Sequence, residues 1–122
     1  MESKDTAKNK SERFAVRIIL LYRELCRRSN EYDIFKQILR SGTSIGANLA
    51  EAECAISRRD FLTKVYIALK ECVETQYWLR LLQQTDYISL QEFRSLFRDC
   101  EELRRMLSST TKTVSQSVNK KG

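Results

Sequence analysis

The chain of 122 residues contains no proline, and its three glycines are Gly42, Gly46 and Gly122. Proline breaks helices, and glycine supplies the left-handed conformations of tight turns, so a β-rich domain needs such residues every several positions. Their near absence favours long helices joined by short polar connections. With 42% hydrophobic residues, the chain can bury the core of one domain. No apolar run is longer than Ile18 to Tyr22, far short of the roughly 20 residues that span a bilayer. Met1 to Lys10 is polar and lacks the apolar stretch of a signal peptide. A cytoplasmic protein without membrane contact is therefore expected.

Apolar residues recur with helical period in four segments, at about 11–28, 32–55, 57–84 and 89–110. In the first, Phe14, Ala15, Ile18, Ile19, Leu21, Tyr22, Leu25 and Cys26 share one arc. In the second, Ile34, Ile38, Gly42, Ile45, Leu49 and Ala52 form the main arc, with Phe35, Leu39, Gly46 and Ala50 beside it. The register runs unbroken through both glycines, so the helix is expected to continue there. Two interior glycines lose about 1–2 kcal/mol of helix propensity, which a close approach by another helix would offset. Ser57 with Asp60, and Ser89 with Glu92, carry the spacing of N-terminal capping boxes for the third and fourth helices. In the fourth, Phe93, Leu96, Cys100, Leu103 and Leu107 alternate spacings of three and four, the seam of bundle packing.

Four helices with short connections reverse direction at each turn, which predicts an all-α, antiparallel up-down-up-down four-helix bundle. Residues 1–10 and 111–122 are polar and lack apolar period, and both are expected to be disordered tails. The third helix carries more apolar surface than one bundle can cover. Tyr66, Val73, Tyr77, Trp78 and Leu81 fall outside its main stripe and mark a candidate subunit interface. The alternative is that Tyr77 and Trp78 merely cover one end of the bundle.

The chemistry open to the chain is narrow. It has no histidine, so a hydrolase triad and a Glu-x-x-His di-iron site are both missing their base or ligand. Cys26, Cys54, Cys72 and Cys100 form no C-x-x-C pair. They are read as mainly buried apolar residues, with Cys54 on another face. Neither metal nor cofactor nor small-molecule ligand is expected. Glu51 and Glu53 stand two apart and do not face one another on a helix; Glu51 and Glu74 are the remaining carboxylates for acid–base work. A non-enzyme is the expectation.

Net charge is +6, with the cationic excess concentrated in the first helix and the two ends. Arg13, Arg17, Arg23, Arg27 and Arg28 on the first helix, with Arg58, Arg59 and Lys64 at the start of the third, are the candidate nucleic-acid contacts. The competing reading is an ordinary solvated face. The polar edge of the second helix, Arg40, Ser41, Ser44, Asn48 and Glu51, suits hydrogen bonding to the third helix or to a neighbouring subunit.

The run L-R-S-G-T-S-I-G-A-N-L-A-E-A from Leu39 to Ala52 resembles the R-x-x-x-S-I-x-x-N-I-A-E signature of a known family. Ser57 to Phe61 resembles its S-x-x-x-F segment, and Ile67 to Glu74 its I-A-x-x-S-x-x-E segment. The family is the four-helix bundle family also called the 23S rRNA-intervening sequence proteins. The resemblance covers about residues 14–110. It carries over Arg40, Ser44, Asn48, Glu51, Ser57, Phe61 and Glu74 as signature positions, read as structural. Glu71 stands where many members have serine, and Ala52 where many have glycine. The resemblance implies a homo-oligomer, a ring-like pentamer in relatives. It is distantly similar to the accessory protein of diversity-generating retroelements, a basic branch that binds nucleic acid and its reverse transcriptase. The expected function is a non-enzymatic homo-oligomeric scaffold that binds structured RNA or DNA. The alternative is a protein–protein adaptor.

Overall fold

The computed structural model describes residues 5–121. Four helices follow in order: α1 (Ala7–Arg28), α2 (Tyr32–Ala52), α3 (Arg58–Gln84) and α4 (Leu90–Lys121). Each packs on its neighbour in sequence and α4 returns to α1, so that α1 faces α3, and α2 faces α4, across the diagonals. The result is an all-helical four-helix bundle. The α1–α4 seam is the thinnest of the four.

Local chemistry fixes most helix ends. Ser57 Oγ accepts from the Asp60 backbone N–H at 3.0 Å, and Asp60 Oδ2 accepts from the Ile56 N–H at 3.1 Å. Ser89 Oγ accepts from the Glu92 N–H at 3.0 Å. Both satisfy donors that a helix start leaves without intrahelical partners. α3 ends in a Schellman arrangement: the Tyr87 N–H reaches Leu82 O at 2.9 Å, and the Asp86 N–H reaches Gln83 O at 3.1 Å. Asp86 takes the left-handed conformation this requires, at φ 67°, a place usually held by glycine or asparagine. That substitution is how the chain makes a tight turn without glycine.

The core is built from the expected arcs: Phe14, Ile18, Leu21 and Leu25 of α1; Phe35, Ile38, Ile45 and Leu49 of α2; Val65, Ala68, Cys72, Leu79 and Leu82 of α3; Leu96, Cys100, Leu103 and Leu107 of α4. One residue of the α2 arc differs. Phe35 is fully buried, whereas Ile34 is 38% exposed. Phe35 meets Tyr87 edge-on, with ring centroids 5.1 Å apart, and an aromatic pair there closes the bundle end better than an aliphatic side chain. Buried polar side chains are paired. The Thr75 and Ser41 hydroxyls meet at 3.0 Å across the α2–α3 seam.

Both glycines lie inside α2 and face α1. A Cβ on Gly42 would stand 2.8 and 2.9 Å from the Ile18 side-chain carbons, and one on Gly46 would stand 3.1 Å from Ser11 Oγ. The close helix approach expected from the sequence is therefore made by α1, and Ser11 is buried in it.

The ends differ from the expected disorder. Residues 111–121 continue α4 as helix. Thr111 and Val118 are buried and extend the Leu103–Leu107 seam at helical spacing, a signal hidden because threonine and serine dominate the composition there. At the other end, α1 begins at Ala7 rather than near Ser11. Thr6 Oγ1 caps it by accepting from the Asn9 N–H at 3.1 Å. Lys8 pairs with Glu53 at 3.0 Å and Lys10 pairs with Glu102, fastening this extra turn to the rest of the bundle. Residues 1–4 and 122, parts of the two expected tails, lie outside the described residues. α2 stops at Ala52, so 53–55 belong to the turn.

Gly42→Ala should lower stability. Overpacking against Ile18 costs about 1–3 kcal/mol, against a gain of about 1 kcal/mol in helix propensity. Gly46→Ala should be nearly neutral or stabilising, because the Ser11 hydroxyl can rotate away. Urea unfolding of both variants checks this; an increased midpoint for Gly42→Ala would contradict the close contact.

Candidate functional site

The arginines of α1 are largely engaged within the protein. Arg17 donates to Asp99 Oδ2 at 2.6 Å and to Ser95 Oγ at 2.9 Å, tying α1 to α4. Arg27 donates to Glu24 at 2.6 Å, Arg28 lies 3.4 Å from the same carboxylate and donates to Tyr87 O at 3.0 Å, and Arg13 pairs with Asp5. Lys64 pairs with Glu51 at 3.0 Å, and Arg58 donates to Ser117 Oγ. Of the candidate nucleic-acid contacts, Arg23 and Arg59 alone have no such partner among the described residues.

The polar edge of α2 joins α3, as its sequence suits it to do. Arg40 sits between two α3 carboxylates, Glu71 at 3.3 Å and Glu74. Glu74 also accepts from the Trp78 indole N–H at 3.0 Å. Trp78, and then Arg40, hold the Glu74 carboxyl below the ordinary carboxylate range. Glu71, where the family signature has serine, thus becomes a second acceptor for Arg40. Ser44 donates to Arg40 O at 2.6 Å and Asn48 to Ser44 O at 2.8 Å, so these two bond within their own helix. Ser57 caps α3, and Phe61 packs half-buried against the core. The seven signature positions therefore lie along α2 and the α2–α3 seam rather than around a cleft.

The remaining cations gather elsewhere. Among the described residues, Lys36, Lys70, Arg80, Arg94, Arg98 and Lys112 have no carboxylate partner, and all are exposed. Lys70 and Arg80 stand on α3, and Arg94, Arg98 and Lys112 on α4. The candidate set drawn from the sequence missed all of these. Counted along the chain, the stretch from Asp86 to Ser109 holds more acids than bases, which masks the cations. Placing α4 at 100° per residue would have separated them from Asp99, which faces α1.

Two groups of apolar side chains face outward. On α3, Tyr66 (42% exposed), Val73 (53%) and Tyr77 (45%) share one face. On α1, Val16 (52%) and Leu20 (54%) stand one turn apart. α1 and α3 are diagonal in the bundle, so the two patches look in opposite directions. Trp78 and Leu81, the other candidate interface residues, are half-buried, with Trp78 packed against the core and Tyr77.

Little of this surface supports chemistry. Glu51 pairs with Lys64, and Glu74 with Arg40 and Trp78; the rise of α3 from Lys64 to Glu74 places the two carboxylates roughly 15 Å apart along its axis. Cys72 and Cys100 are buried, Cys26 is half-buried and Cys54 exposed. The Cys100 thiol lies 3.4 Å from Cys72 O; contact with Cys72 and burial push its pKa up, leaving it protonated and unreactive. Among the described residues, no three of Cys, Asp and Glu are grouped to hold a metal. No described helix is long and apolar enough to cross a membrane.

Comparison with known proteins gives two findings. The family described as the 23S rRNA-intervening sequence protein matches residues 4–109. The fold is also similar to the 1.70 Å crystal structure of a protein of unknown function from the S23 ribosomal protein family of Bacteroides thetaiotaomicron VPI-5482. It is 51% identical with a TM-score of 0.86, over 88% of this chain and 99% of that one. No curated protein matches.

Glu101 ties α4 to α3 and should dominate the acid response of that seam. Arg104, and then Gln76, hold its carboxyl at about 2, against an ordinary 4.5. A carboxyl lowered on folding stabilises fully above its unfolded value, and that contribution is lost as pH falls from 4.5 toward 2. Thermal melts across this window should show a steeper loss for the wild type than for Glu101→Gln. Parallel slopes would show that the Glu101 contacts contribute nothing.

Proposed function

The chain belongs to the 23S rRNA-intervening sequence protein family, and from that premise we propose a non-enzymatic homo-oligomeric scaffold that binds structured RNA or DNA through basic surface residues. The observation that carries the assembly is the pair of apolar patches on opposite sides of the bundle. A two-fold dimer buries the same patch on both partners, whereas head-to-tail contact joins two different patches and closes into a ring when the rotation allows. Leu20 and Val16 of one protomer against Val73 and Tyr77 of the next is such a contact; repeated with a rotation that closes, it gives the ring that the family resemblance implies. Arg17, tied to Asp99 and Ser95, flanks the α1 patch and sets its position against α4.

The nucleic-acid part rests on net charge and on where that charge is unspent. Internal ion pairs engage most of the cations of α1, Arg23 excepted, while most of the exposed cations without a carboxylate partner stand on α3 and α4. In a ring each would recur once per subunit, multiplying the electrostatic attraction for a polyanion. The non-enzymatic part rests on the carboxylates: those the sequence offers for acid–base work are separated and neutralised by Lys64 and Arg40.

A mixing experiment separates head-to-tail assembly from a two-fold dimer. Leu20→Glu spoils the α1 patch and Val73→Glu the α3 patch, so each variant alone should sediment as a monomer. Mixed, they should form a heterodimer through the two intact patches; no complex on mixing would overturn this assembly. Mobility shifts of the wild type on structured RNA and duplex DNA over a salt series test the nucleic-acid part. Absence of any shift at low salt would leave a protein–protein adaptor as the function.

A further inference from the structure

The outer face of α4 carries four cations in register. At 100° per residue, Arg94, Arg98, Arg105 and Lys112 fall within an arc of about 40°. At 1.5 Å per residue they span roughly 27 Å. All four are exposed. Arg94, Arg98 and Lys112 have no carboxylate partner among the described residues, and Arg105 shares Glu101 with Arg104 at 3.3 Å. Of the other acids on α4, Asp99 pairs with Arg17 and Glu102 with Lys10, and Glu92 lies about 160° away from Arg94 around the helix. Lys112 belongs to this line because α4 continues as helix through the segment whose composition suggests a tail.

We infer that this line is the docking surface for the phosphate backbone of a nucleic-acid duplex, RNA or DNA. The inference rests on the nucleic-acid reading above and names the surface and the form of the partner. Single strands are held by basic grooves combined with exposed aromatic rings on which bases stack. α4 offers none: Phe93 and Phe97 are half-buried and pack on each other, ring centroids 5.2 Å apart. The exposed aromatics lie on other helices: Tyr32 at the start of α2, and Tyr66 and Tyr77 on the α3 face that the proposed assembly buries. What α4 does offer is a straight array of fixed charges. A duplex is its rigid counterpart, with one phosphate charge per about 1.7 Å of axis and so about 16 along the length of the line. Arginine suits this contact because its planar donors engage two phosphate oxygens at once.

Fluorescence anisotropy of the full chain, with a labelled RNA duplex, a DNA duplex of matched length and an unstructured single strand, tests the inference; heparin is the competitor. The wild type should bind a duplex at least tenfold tighter than the single strand. Log affinity should fall against log salt with a slope near −0.9 per phosphate contacted, about −3 to −4 for one line. The double variant Arg94→Ala/Arg98→Ala should bind at least tenfold more weakly and lose roughly 2 from that slope. Arg94→Lys/Arg98→Lys should keep most of the binding, and Lys8→Ala on α1, a cation already paired with Glu53, should change little. The RNA and DNA arms show which duplex is preferred. If the wild type binds duplex but the double alanine variant, still fully helical, binds equally well, this surface is wrong while the broader function stands. Preference for the single strand, or heparin bound as tightly as duplex, would also overturn it. No binding to any nucleic acid would overturn both.

Discussion

The approach of α1 to α2 at Gly42 is the contact on which the rest of the arrangement turns. Ile18 lies against a backbone without a side chain, too near to admit even a methyl group. One helical turn further on, Gly46 makes room for Ser11 in the same way. These two contacts fix the rotation of α1 about its own axis. With that rotation set, Phe14, Ile18, Leu21 and Leu25 point inward, and Val16 and Leu20 must point outward. Arg17 lands on the flank where Asp99 and Ser95 wait on α4. Two residues that weaken α2 as an isolated helix thus specify how the bundle is put together.

Charge follows from the same geometry. A chain of net charge +6 could spread its excess evenly, but the bundle does not. α1 spends most of its arginines on Glu24, Asp99 and Asp5, and α2 spends Arg40 on α3. These pairs are mostly solvent-accessible and contribute modestly to stability; their larger effect is to neutralise one side of the molecule. Most of the cations left over stand on α3 and α4, with Arg23 on α1 and Lys36 on α2. Apolar patches on α1 and α3, with a basic line on α4, then divide the surface into faces suited to different partners.

Much of the fold was legible in the residues. The Ser57 and Ser89 caps, the core arcs and the helical path through Gly42 and Gly46 all follow from spacing. What was less legible has physical causes. Thr6 and Thr111 look like tail residues by composition, yet one caps a helix and the other is buried in a seam. Ile34 and Phe35 both border the apolar arc of α2, and the contact of Phe35 with Tyr87, distant in sequence, goes with Phe35 being the buried one. The basic surface was the hardest to place, because a cation's availability depends on acids distant in sequence. Arg17 and Asp99 are 82 residues apart, and no local pattern joins them. The α4 line was present in the sequence as a spacing of 4, 7 and 7, hidden under the acids of the same segment.

The central claim is that this bundle is a protomer whose opposite faces are complementary. Native mass spectrometry of the unmodified protein measures this directly. The account predicts one dominant closed assembly, a whole multiple of the 14.3 kDa chain with three or more subunits. A spectrum containing only the monomer, or only a dimer, would contradict it.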